Sequence, residues 1–136
     1  MGNVIPKLVK YDIIARWCAP PTGVETTWMV ALFTTNQCLT KTLYTGCTGE
    51  VLDSAPGYDT GGVVLSGRAA NYDGDNAYLT ATNSQWTSAT FTAAYAVVYE
   101  TATNKIRVIY DFGGNKTVTT GTFTIQWSAS GLIKIS

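Results

Sequence analysis

The chain has 136 residues, 46% of them hydrophobic, 12% aromatic and 13% charged, with nine basic and nine acidic side chains, three cysteines and no histidine. That length suits one compact domain with a sizeable core, the apolar content excludes disorder, and the balanced charge removes the basic excess used in non-specific nucleic-acid binding. Without histidine there is no imidazole base, no Ser-His-Asp or Cys-His nucleophile and no His-containing metal site, so no cofactor is expected.

Residues 1–10 alternate apolar and charged side chains and build no secretory apolar core, so synthesis in the cytoplasm without export is expected. Residues 1–27 read as an irregular arm. Leu8, Val9, Ile13 and Ile14 would share one side of a short helix, and a strand is the alternative. Pro20-Pro21-Thr22-Gly23 breaks the chain, and residues 28–34 form the first clear strand. Residues 38–56 hold Gly46, Gly49 and Pro56 with little periodicity; they read as a long excursion leaving the sheet edge, with a helical turn near 39–43.

The turn-rich cluster Asp73-Gly74-Asp75-Asn76 joins residues 68–72 to 77–81 as a hairpin. Residues 91–99 are apolar on both faces, which marks a central strand or one covered by a partner, and they are far too short to span a membrane. Ile106, Val108, Tyr110 and Phe112 alternate after the short polar link 100–105, completing a second hairpin. Gly113-Gly114-Asn115 closes that strand, and Gly121 and Ser130-Gly131 punctuate the last two. In 123–127, Phe123, Ile125 and Trp127 take the core face, with Thr124 and Gln126 opposite. Threonine is the commonest residue, as expected of sheet with one wetted face. The expected fold is all-β: an antiparallel β-sandwich or small barrel, Ig-like or jelly-roll-like, spanning 28–136 of a single 1–136 domain.

Chemistry-bearing clusters are sparse. Asp73 with Asp75, then Asp53 and Asp59, are the densest carboxylates, but a glycine between two aspartates in a turn reads as a hairpin connection, and the calcium-loop spacing is incomplete. Gly61-Gly62 and Gly113-Gly114 lack the context of a phosphate loop. Trp17, Trp28, Trp86 and Trp127 read as core, whereas Tyr44, Tyr58 and Tyr72, if exposed, would suit sugar stacking. Cys18, Cys38 and Cys47 form no C-x-x-C pair. They read as reduced thiols; the alternative is that oxidation outside the reducing cytosol pairs two of them or links subunits. Charge is +2 over the first twenty residues, −4 over 41–100 and +3 beyond.

Five stretches fall into a known order: Trp28-Met29-Val30-Ala31-Leu32-Phe33-Thr34; Gly57-Tyr58-Asp59-Thr60-Gly61-Gly62-Val63-Val64-Leu65; Trp86 with residues 89–99; Tyr110-Asp111-Phe112-Gly113; and residues 120–131. This order resembles a family of small tailed-phage virion structural proteins, over about residues 28–136. The resemblance implies a non-enzymatic role, foremost as a head decoration (cement) protein on the capsid exterior. The major capsid protein or other virion proteins would be its partners, and neither nucleic acid nor membrane. The alternatives are a neck, tail or fibre subunit and, from another class, a carbohydrate-binding module. Phe91, Tyr95, Val97, Tyr99, Tyr44 and Tyr58 are the expected interface residues of a homo-oligomer, a trimer by preference.

Overall fold

The computed structural model describes residues 27–73, 76–127 and 133–135. Over these residues it is all-β and antiparallel, with seven strands among the described residues: β1 Trp28–Phe33, β2 Val63–Val64, β3 Ala69–Asp73, β4 Asn76–Thr80, β5 Ser84–Glu100, β6 Ile106–Ile125 and β7 Ile133–Ile135. The N-terminal arm expected over 1–27, with Trp17 and Cys18, lies outside the described residues except for Thr27, and so does the Ser130-Gly131 turn.

The chain divides into two compact units. One comprises Thr27–Leu65 and Asn83–Ile125 and carries a four-stranded sheet in the order β2-β1-β5-β6. The other includes Ser66–Thr82 and the chain from Gln126, and carries a three-stranded sheet in the order β3-β4-β7. Its β3–β4 hairpin pairs Ala69 with Thr80 through to Asp73 with Asn76, as the turn cluster led one to expect.

In the larger sheet β5 is central, flanked by β1 and β6. Its first half alternates buried and exposed residues, while from Ala93 onward nearly every side chain is buried. That is the two-faced apolar pattern read from the sequence. Ala31 and Phe33 of β1 join Val97 and Tyr99 of β5 and Cys38 in one buried cluster, against which Met29, Tyr44, Cys47, Tyr95, Ile106 and Ile109 pack. The face expected to await a neighbouring copy is therefore covered by the chain's own residues 38–47. This segment leaves β1 and turns through two short 3-10 helices, Gln37–Thr40 and Tyr44–Gly46. It docks on the β5–β6 turn where Tyr44 N–H donates to Asn104 O at 2.8 Å and Ile106 N–H donates to Thr42 O at 3.0 Å.

Gly113-Gly114-Asn115 does not end a strand. β6 runs on for 20 residues, because both glycines take positive φ (79° and 146°) and let residues 112–115 bulge opposite Ala94 before pairing resumes at Lys116. Gly121 likewise sits inside β6, paired with Ala89. Further irregularities accompany the positive φ of Ser88 and Thr120, and between Val98 and Tyr99 the extra residue on β6 is Arg107. That bulge turns Arg107 toward Glu100, with which it forms an ion pair, and over the Trp28 ring, 5.7 Å from its centroid.

Candidate functional site

The richest polar cluster is built around Glu50, which the sequence did not single out. It arises from a gap along the outer edge of β1. Residues 63–65 pair with one end of that edge, where Leu65 N–H donates to Trp28 O at 2.8 Å; residues 49–51 pair with the other, where Val51 N–H donates to Leu32 O at 2.9 Å and Thr34 N–H to Gly49 O at 2.8 Å. Between them the intervening loop leaves β1 without a continuous partner strand. Leu32, fully buried, would there have an unpaired N–H, at a cost of roughly 1–3 kcal/mol.

The Tyr58 hydroxyl fills the gap, accepting from Leu32 N–H at 3.0 Å and donating to Glu50 Oε1 at 2.6 Å. Gly61 N–H donates to the same oxygen at 2.7 Å, and the Tyr44 hydroxyl donates to Oε2 at 2.5 Å. Tyr99, whose ring stacks on Tyr44 at 4.0 Å with a 3° interplanar angle, donates its hydroxyl to Gly61 O at 2.8 Å. One carboxylate thus receives three donors and fixes the loop against β1.

The loop must also come very close to the strand. Gly62 has φ +83°, and a Cβ placed there would lie 1.7 Å from Val30 O and 2.8 Å from Ala31 Cα, so only glycine fits.

The electrostatics follow from burial beside an anion. Burial first, and then the hydrogen bond to Glu50, hold the Tyr44 and Tyr58 hydroxyls far above the ordinary tyrosine range. Burial and the Glu50 charge raise Tyr99 as well. All three phenols stay protonated as donors, Tyr44 and Tyr58 to the Glu50 carboxylate and Tyr99 to Gly61 O. The arrangement holds backbone in place.

Several expected site residues are corrected by this geometry. Tyr58 (2% exposed), Tyr99 (4%) and Val97 (0%) are interior under the 38–62 excursion and offer no surface to another subunit, and Phe91 (7%) shows only a small part of its ring at the depression described below. Tyr44 and Tyr95 are partly buried against the same cluster. With Tyr58 inside and Tyr44 tied to Glu50, the sugar-stacking platform loses two of its three rings; of Tyr72 only the backbone pairing is described. Trp28 and Trp86 are core, as expected, and Trp127 is buried too.

Asp53 and Asp59 are exposed loop residues, Asp73 ends β3, and Asp75 lies outside the described residues. Among the described residues no three carboxylates or cysteines group as metal ligands. Cys38 and Cys47 form a disulfide with a Cα separation of 5.0 Å, the pairing that the oxidised reading of these thiols requires.

An open depression of about 480 Å³ lies beside the cluster, with Glu50, Leu52 and Ser54 on one wall and Phe91 and Thr92 on another. Large apolar side chains stand exposed nearby in sequence and beyond: Leu39, Leu43, Leu52, Val64 and Tyr110, at 41–71%. No protein-family model, curated protein or solved structure matches the chain.

Proposed function

We propose that this protein is a non-enzymatic structural component of a tailed-phage virion, a decoration protein that binds the outer head shell as a homo-oligomer, preferably a trimer. One observation carries the reading: the polar groups with most chemical potential, Glu50 and its tyrosines, are consumed in holding the fold. What the larger unit turns to solvent is contact surface. β5 and β6 present exposed Thr87, Thr90, Thr117, Thr119, Thr122 and Thr124, and the exposed leucines, Val64 and Tyr110 supply apolar contact. A shell-binding protein needs little more, because repetition over a lattice multiplies modest affinities.

The resemblance of the strand strings supports the same role, and all five stretches contribute to β1, β2, the Tyr58 loop, β5 and β6, the last of them as far as Ile125. The test is to add purified protein to heads lacking it. Saturable binding at lattice stoichiometry with raised heat resistance is expected; binding confined to isolated tail parts would overturn the proposal and favour a neck or tail subunit.

A further inference from the structure

The Cys38–Cys47 bridge brackets the residue that closes the Glu50 cluster. Cys38 is buried in the core, Cys47 is half-buried, and Tyr44 lies between them in sequence. Within this loop Tyr44 is held by the stack on Tyr99, by Glu50 Oε2 and by its amide bond to Asn104. The turns around it are single 3-10 turns that carry little stability alone. The loop is therefore held on the sheet by these contacts, by Ile106 N–H donating to Thr42 O and by Cys38 in the core, while the bridge ties its two ends to each other. We infer that oxidation of Cys38 and Cys47 is a redox clamp: it seats the 38–47 loop on the sheet and closes the Tyr44–Glu50 bond, while the dithiol form leaves that loop able to lift away.

The chemistry balances with a small-molecule disulfide as oxidant. The Cys47 thiolate, the more accessible, attacks it to form a mixed disulfide and release one small thiolate. The Cys38 thiolate then attacks Cys47 Sγ, expelling the second small thiolate. Two protons leave the protein and two electrons reduce the oxidant to two thiols. The clamp consequently closes when the chain leaves a reducing cytosol, as on release from a cell. This inference stands whether or not the virion reading holds, because it rests on the loop alone.

The test uses the full chain with Cys18→Ser to simplify the thiol count. After incubation with oxidised glutathione, alkylation under denaturing, non-reducing conditions should leave both remaining cysteines unmodified and the intact mass free of glutathione adducts; two alkylated or two glutathionylated cysteines would overturn the clamp. Reduction should lower Tm by about 10 °C, the scale expected for a bridge closing so short a loop. Coupling to Tyr44 separates a clamp from a merely stabilising bridge. Tyr44→Phe should lower Tm in the oxidised form and leave the reduced form nearly unchanged; an equal loss in both forms would overturn the inference. Should Tyr44→Phe fail to fold, amide exchange in the unsubstituted side chain background decides. The Tyr44 and Ile106 amides should exchange at least tenfold faster on reduction while Val98 stays protected, and unchanged Tyr44 and Ile106 rates would contradict the clamp.

Discussion

The two outer edges of the four-stranded sheet meet the same hazard by opposite means. An open edge leaves backbone N–H and C=O groups free to pair with another chain. On the β1 side the edge is sealed from within: two short segments pair with its ends, and Tyr58, held by Glu50, takes the N–H left between them. On the β6 side no described strand pairs with the outer edge, which is made irregular by the 112–115 bulge, by the kink at Thr120 and by the extra residue at Arg107. The first solution depends on a few buried polar atoms and tolerates little change; the second is spread over 20 residues and should tolerate much.

Glycine substitutions break the contrast most sharply. Gly62→Ala drives a methyl into Val30 O at the sealed edge, and a loss of about 4 kcal/mol, enough to abolish cooperative unfolding of the larger unit in urea, is expected. Gly113→Ala meets nothing within 4 Å and bears only its left-handed φ, about 1 kcal/mol. Next comes Glu50→Ala, which strands three donors at once; about 3 kcal/mol should be lost in denaturant titration. Tyr58→Phe removes one hydroxyl and leaves Leu32 N–H unpaired, for about 2 kcal/mol.

The tyrosines also set a pH response. Their hydroxyls ionise at higher pH in the fold than when unfolded, so their contribution is complete below about pH 10, falls as pH rises above it, and is fully lost only beyond the folded-state values. A Tm that is flat from pH 7 to 9 and declines above 10, less steeply in Tyr58→Phe, is the expected profile. The smallest effect belongs to the wetted face: Thr92→Val removes a hydroxyl paired with Thr117 at 2.8 Å in solvent, and Tm should stay within the equivalent of about 0.5 kcal/mol.

The strands were legible in the sequence where alternation is local. Residues 28–34 and 91–99 and both hairpins emerge from side-chain period and turn chemistry alone. Gly113 and Gly114 misled because positive φ serves a turn and a bulge equally, and only the resumed pairing at Lys116 distinguishes them. The site was harder to read. Tyr58 acts on an amide 26 residues away and Tyr99 on a carbonyl 38 residues away, and no periodicity encodes such partners. Glu50 carried one faint signal, an acid set directly before Val51-Leu52 amid tyrosines. The disulfide needed the fold to bring Cys38 and Cys47 together.

The sealed edge is tested most directly by amide hydrogen exchange at Leu32 in the unmodified protein and in Tyr58→Phe. In the unmodified protein Leu32 should be as protected as Ala96 and Val98 within the sheet, and in Tyr58→Phe it should exchange at least tenfold faster while those two are unchanged. Equal Leu32 protection in both proteins would contradict the role assigned to Tyr58 and, with it, the Glu50 cluster as the seal of the β1 edge.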